Sequence, residues 1–391
     1  MHTIELSWRI DANNAGITYE EISGQLAKFP GEIPIFDAAN LEYISSAGLR
    51  TLLRFRKLYG KNLDVINASD DVYSIFEVTG FNELFNVRKK LREISLEGCP
   101  IIGEGHFSEV YRLDDDTIVK VFSKFPTDPE SIMAGQKSAR EAFIRGIPTA
   151  ITFDVVRAGK YYGAVYEMAG AETLSEAITK NPRRLDELST RAGELLHEIH
   201  HTEFEPGIFP DAVMIWRNAA ETLYEHEAIS LNDRDMLNKI FDRIPVRNTF
   251  IHNDYHPKNI MLQGDELMLI DIADSALGYP AIDFSSLHFL AVAVAPMMKR
   301  AGIPLEDIIG LPDDMAMGFW NGVLRGYFNT NDDAMLQKYT DAFEDYSIMR
   351  AVTALARRVN EPNFAQSKRG MSPFIARIPA VFENLQTIEG I

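Results

Sequence analysis

A single cysteine, Cys99, stands in 391 residues. No internal disulfide can form, and a cysteine-rich zinc site is excluded. Positive charge is scarce too: 39 Lys and Arg against 57 Asp and Glu leave a net charge of −18. The deficit is uneven, −3 over residues 1–97 and −15 over the rest. A chain of that balance repels phosphate backbones, so nucleic acid is not an expected partner. The basic cluster Arg88, Lys89, Lys90 and Arg92 reads as the solvated face of a helix or linker. No apolar run reads as long enough to span a bilayer. The opening MHTIELSWRID lacks the basic-then-apolar layout of a signal peptide. The expectation is a cytoplasmic protein with no membrane partner. Internal repeats, low-complexity tracts and a G-x-x-x-x-G-K-[ST] phosphate loop are also missing. What is present is ordinary globular composition, 46% hydrophobic and 25% charged, over a length that fits two or three domains.

Over the first hundred residues, apolar runs at 33–36 and 63–68 predict two buried strands. Between them Leu49, Leu52, Leu53 and Leu58 follow a helical period, with Gly60 as its C-cap and Ser45 and Ser46 where the N-cap belongs. A second helix is expected from Asp71, with Val72, Ile75 and Phe76 on one face, ending near Gly80. This is a small α/β unit. The runs IPIFDAANLEYISSAGLRTLL and LDVINASDDVYSIFEVTGFNELFNV resemble the STAS domain of anti-sigma-factor antagonists over about the first 95 residues. In that family a serine at the helix start accepts phosphate from a partner kinase, and Ser46 matches it. The resemblance therefore implies a STAS-binding regulatory partner, an anti-sigma factor or related kinase. A helix N-terminus tolerates the added charge of about −1.5 to −2. The competing reading makes Ser45 and Ser46 only helix caps.

A different pattern starts near Glu97. Residues 101–122 read as strand, glycine turn, strand, acidic turn, strand, with Gly103, Gly105, His106, Phe107 and Ser108 in the glycine turn. Glycines there let a backbone approach phosphates, or simply make a hairpin. Lys120 is a cation inside an apolar strand, which is either an edge lysine reaching water or a phosphate ligand. The strongest signal is FIHNDYHPKNIML followed by LMLIDIADSALGYPAIDF. Phosphoryl transfer needs an acceptor for a hydroxyl proton, which suits Asp254, and hard oxygen ligands for Mg²⁺, which suit Asn259 and Asp271.

Together these motifs resemble the protein-kinase-like superfamily, in the branch of aminoglycoside phosphotransferases and choline kinases, over roughly residues 97–391. The resemblance implies ATP and Mg²⁺ as cofactors. Gly103, Gly105, Ser108, Lys120, Glu167 and Met168 would bind ATP, with Tyr166 also at the hinge. Lys120 and Asp254 would be the catalytic pair, and Asn259 and Asp271 the metal ligands. His252 and Asp283 would brace the catalytic loop from behind. The family pairs its strand lysine with a helix glutamate. Here that position falls near Gly135 or Gln136, with Glu130 and Glu141 out of register.

The run HEIHH, with His197, His200 and His201, also reads as the H-E-x-x-H of a metalloprotease, against a packed histidine with exposed neighbours. Residues 287–382 read as helical, and Trp320, Tyr327, Phe328, Phe343 and Tyr346 form either a helical core or an aromatic box for a quaternary ammonium. The acid excess would favour a cationic acceptor. The expected fold is an α/β STAS-like domain over 1–96 followed by an α+β bilobal kinase-like domain over 97–391. Its small lobe would span about 97–168 and its helical lobe 169–391. The expected function is ATP/Mg-dependent phosphorylation of a protein serine or a small-molecule hydroxyl, regulated by the STAS domain. The alternative is a nucleotide-binding pseudokinase acting as a partner-switching scaffold.

Overall fold

The structure, a computed structural model, describes residues 2–105, 108–124, 127–170, 172–388 and 390–391, less the side chains of Arg300 and Ala301. His106 and Phe107, expected in the glycine turn, lie outside the described residues. The chain forms two compact units, residues 1–97 with 155–162, and residues 98–154 with 163–391.

The first unit is built on four parallel strands in the order His2–Glu5, Pro34–Asp37, Leu63–Ala68, Phe85–Lys89. Helices Ala15–Leu26, Ser46–Tyr59 and Asp70–Val78 accompany them. Ser45, not Ser46, caps the middle helix: its Oγ accepts from the Ala47 and Gly48 N–H groups. Gly60 closes that helix in the left-handed conformation (φ 66°). Leu49, Leu52 and Phe55 form its buried stripe, whereas Leu58, expected on that stripe, is 72% exposed. The third helix starts one residue earlier than expected because Ser69 caps it through the Val72 N–H. Of the basic run, Arg88 and Lys89 end the strand Phe85–Lys89 and Arg92 lies in the short strand Arg92–Glu93, with Lys90 between them. Arg88 pairs with Asp64 and Lys89 with Asp70, each at 2.8 Å. Residues 155–162 join this unit because Arg92–Glu93 pairs in parallel with Val156 and Arg157, and the Ile94 N–H donates to the Arg157 carbonyl.

In the second unit, strands Ile101–Glu104, Glu109–Arg112 and Thr117–Val121 and residues 163–167 lie antiparallel in that order. The acidic turn between the second and third strands is tied by Asp114, whose Oδ1 accepts from the Asp116 and Thr117 N–H groups. Helix Pro129–Ile144 follows, capped by Asp128. The remainder is mainly helical, with a hairpin of Ile260–Gln263 and Glu266–Leu269 and a short pair, Phe250–Ile251 with Ala276–Leu277.

Helices Leu185–Ile199 and Asp313–Phe328 cross at glycines. A Cβ on Gly193 would intrude on the Val323 carbonyl oxygen, and one on Gly326 on the Thr190 carbonyl oxygen. Only glycine lets these backbones meet, and the meeting sets His200 beside Tyr327. One stretch, Ala281–Lys299, is apolar and long enough to cross a membrane by length and composition, with mean hydropathy 1.5. The sequence reading found no such run. Over half of it is buried, and it carries Asp283, fully buried, against the loop at His252. Those contacts make it a core helix of this unit.

Candidate active site

The segment after Phe250–Ile251 turns sharply. Asn253 adopts the left-handed conformation (φ 62°), which asparagine tolerates better than most residues. Asp283 holds the turn: one carboxylate oxygen accepts from the His252 N–H at 2.7 Å, and the other accepts from the Asn253 N–H. His252 reads as one tautomer. Its Nε2 lies 3.0 Å from the Ile270 carbonyl and must donate, so Nδ1 is free to accept from the Asp254 N–H at 3.3 Å. His252 and Asp283 thus both hold the turn at 252–254 by hydrogen bonds.

Asp254 emerges from this turn with its side chain 34% exposed. Asn259 donates its amide N–H to the Asp254 carbonyl (3.0 Å) and to Asp254 Oδ2 (3.2 Å). That leaves the Asn259 Oδ1 available as a hard oxygen ligand. The Ile270 N–H donates to the Asn259 carbonyl at 3.0 Å, which brings the next residue, Asp271, to the same place. Asp271 is left-handed (φ 60°), and its Oδ1 pairs with Lys120 Nζ at 2.6 Å. Two carboxylates, an amide oxygen and an ammonium therefore converge, and the oxygen donors fit Mg²⁺.

Burial would raise the Asp254 pKa, but His256, with Nε2 at 3.5 Å, and the Arg350 guanidinium, with Nη2 at 3.6 Å, outweigh it. The carboxyl is held well below the usual carboxylate range. Burial and the Asp271 charge keep the Tyr166 phenol protonated.

The helix glutamate has no counterpart at the expected register. Gln136 is buried and donates to the Asp154 carbonyl at 2.8 Å, and Gly135 lies against Ala273. Lys120 pairs with Asp271 instead. At the hinge, the Glu167 and Met168 N–H groups are already donated, to the Ile151 and Asp116 carbonyls, and the Glu167 carboxylate accepts from the Ile151 N–H. In the glycine turn, the Gly105 N–H donates to the Ser108 carbonyl at 2.8 Å, and Ser108 is buried. A Cβ on Gly103 or Gly105 would meet only ordinary van der Waals neighbours. The protein's own packing does not require glycine there, which fits space kept for phosphates.

Three groups at the site were not singled out as site residues by the sequence reading. Arg350, on helix Asp333–Ala354, donates to Asn253 Oδ1 at 3.3 Å and faces Asp254. Its signal was a charge inside the apolar run SIMRAVTALA. His256 has a buried Nδ1 without a partner. His200, set among the HEIHH histidines, lies 3.1 Å from Asp283 and 3.0 Å from the Tyr327 hydroxyl. The His197 and His201 rings meet at a tilt, and His201 Nδ1 donates to the His197 carbonyl. Among the described residues, no group of three His, Cys, Asp or Glu could hold a metal ion. Trp320, Tyr327 and Phe343 are buried and pack on Phe284, Trp320 and Phe343 also meet each other, Tyr346 is buried against Tyr279, and Phe328 stacks on Tyr339. They form the core of the helical part rather than an open aromatic box.

Several solved structures are similar to the chain. An ADP-bound aminoglycoside phosphotransferase, APH(2'')-Ib, is 15% identical with a TM-score of 0.46, covering 78% of this chain and 98% of that one. A choline/ethanolamine kinase family protein from Mesorhizobium loti is 15% identical with a TM-score of 0.44, covering 73% and 88%. The GDP and kanamycin complex of APH(2'')-IIia is 14% identical with a TM-score of 0.45, covering 80% and 98%. No curated protein matches the chain. Residues 2–94 match the STAS domain, and residues 98–328, more than half of the chain, match the phosphotransferase enzyme family. The chain belongs to that phosphotransferase family and carries a STAS domain ahead of its bilobal kinase-like fold.

Proposed function

We propose that the second unit transfers the γ-phosphoryl group of ATP, with Mg²⁺, to an alcohol hydroxyl. The observation that carries this reading is the cluster of Asp254, Asn259, Asp271 and Lys120, joined by contacts of 2.6–3.2 Å. Mg²⁺, held by Asn259 Oδ1 and Asp271, would neutralise charge on the phosphates. Lys120 holds the α- and β-phosphates beneath the turn at Gly103, Gly105 and Ser108. Asp254 orients the acceptor hydroxyl. Its depressed pKa makes it a weak base, which suits a loose transition state in which the proton leaves late. The acceptor oxygen bonds the γ-phosphorus, and the bond to the β–γ bridging oxygen breaks with its electrons to ADP. The hydroxyl proton passes to Asp254. Calorimetry on the full chain tests the nucleotide step: ATP binds with Mg²⁺ and binds more weakly without it or in Asp271→Ala. Equal binding in all three refutes the assignment.

The STAS unit, in this reading, regulates the enzyme through a STAS-binding partner, and Ser46 is its phosphoacceptor. Ser46 is exposed at the first residue of its helix, and the neighbouring Ser45 does the capping, so phosphorylation leaves the cap intact. Phosphosite mapping after incubation with Mg-ATP and in native cells checks it. An unmodified Ser46 in both removes that role. One observation favours the second reading, a nucleotide-binding pseudokinase: Gln136 stands where the helix acid was expected, and Lys120 is paired with Asp271. Absence of turnover despite Mg-ATP binding would select it.

A further inference from the structure

Arg350 presents five N–H donors, yet among the described residues it makes one hydrogen bond, the 3.3 Å contact to Asn253 Oδ1. Its remaining contact is the 3.6 Å approach of Nη2 to Asp254 Oδ1. The side chain is 13% exposed, and none of its nitrogens is a buried atom without a partner, so its spare donors are open to solvent. A recessed guanidinium with spare donors is placed to take an anionic group.

Its position says which ligand. Asn259, the candidate metal residue, bonds the other oxygen of Asp254, Oδ2. Arg350 therefore stands at the oxygen of Asp254 that the metal residue leaves open, the one free to meet an acceptor hydroxyl. Nearby, Arg357 pairs with Asp274 at 3.0 Å, so that carboxylate is neutralised, and Asp283 is taken up by the catalytic-loop N–H groups. Residues 350–369 hold five basic residues and one acidic one, within a chain of net charge −18. They also lie beyond residues 98–328, the stretch that matches the phosphotransferase family. The feature belongs to this chain's own C-terminal segment.

We propose that Arg350 is the acceptor-recognition residue, and that the acceptor is a small hydroxylated anion whose carboxylate or phosphate it grips while its hydroxyl meets Asp254. This rests on the phosphotransferase reading above and reverses the cationic acceptor that the overall charge suggested. A guanidinium fork matches either anion bidentately. The recessed position favours a small molecule over a protein surface.

The test is calorimetry on the full chain, with and without Mg²⁺ and a non-hydrolysable ATP analogue. The probes are glycerate, glycerol 3-phosphate, glycerol and choline. The expected result is one-to-one binding of glycerate or glycerol 3-phosphate, tighter than glycerol or choline. Which anion binds better separates carboxylate from phosphate recognition. Arg350→Gln should weaken that binding roughly 10- to 100-fold, the scale of hydrogen bonds to a charged group, and Arg350→Lys should recover part of it. The proposal is overturned if choline binds as tightly as the anions, or if neither anion binds at about 10 mM, a weaker affinity than any metabolic site would need. It is also overturned if Arg350→Gln weakens the nucleotide analogue and leaves anion binding unchanged. Failure of the analogue to bind refutes the phosphotransferase reading, while the nucleotide-free titrations still decide on Arg350.

Discussion

Replacing Asp283 with asparagine removes one charge and one acceptor from the buried carboxylate beneath the loop at His252–Asp254. One oxygen serves both the His252 N–H and His200 Nε2, and the other serves the Asn253 N–H. The least damaging orientation keeps the amide oxygen on His252 and His200 and turns the NH₂ toward the Asn253 N–H. One buried backbone donor then faces another donor, at about 1–3 kcal/mol, and the two surviving bonds lose their charged acceptor. The sum is about 2–4 kcal/mol, or a fall of roughly 4–12 °C in the melting temperature of the second unit. Asp283→Ala orphans all three donors and should cost more. Asn253 holds the left-handed turn immediately before Asp254, so loosening it displaces the carboxylate proposed to meet the hydroxyl. A displacement of about 1 Å at such a group lowers turnover by up to about 10²-fold. Thermal unfolding and steady-state turnover of both variants provide the check. An Asp283→Asn protein with parental melting temperature and turnover would refute the bracing role.

Other expectations follow from packing and burial. Burial leaves His288 with its pKa pushed down to about 4 from 6.5. The unfolded chain then binds the extra proton first, so stability falls as pH drops from 6.5 toward 4. About 1 kcal/mol should be lost between pH 6.5 and pH 5.5, and His288→Gln should flatten that slope in denaturant titrations. Gly326→Ala puts a Cβ against the Thr190 carbonyl and should destabilise by about 3 kcal/mol or more, whereas Gly24→Ala, with open space around it, should stabilise by about 0.5–1 kcal/mol. Equal melting temperatures for these two variants would contradict the packing account.

The candidate catalytic loop stood out in the sequence because its polar residues are local. His252, Asp254 and Asn259 stand within eight residues, and Asp271 lies two residues after the strand Glu266–Leu269. Asp283 also followed from a motif. What stayed hidden joins distant segments. Arg350 reaches Asn253 across 97 positions, and His200 reaches Tyr327 across 127, through a helix crossing set by Gly193 and Gly326. No period or spacing records such a pairing. Two neighbouring serines were equivalent as caps on paper, and backbone geometry chose Ser45. The basic run near Arg88 looked like solvated surface because charge is conspicuous in a sequence, whereas its partners, Asp64 and Asp70, are some twenty residues away. The aromatic residues of the C-terminal helices carried no signal separating a box from a core. Burial alone decided that.

The measurement that reaches the central claim most directly is transfer of label from γ-labelled ATP by the full chain, with Mg²⁺ and a panel of hydroxyl acceptors, in the parent and in Asp254→Asn. The account predicts Mg²⁺-dependent transfer in the parent. It predicts a loss of roughly 10²–10⁴-fold in the variant, with Mg-ATP affinity retained. Undiminished transfer in Asp254→Asn, or a parent that binds Mg-ATP and passes label to neither acceptor nor water, would contradict it.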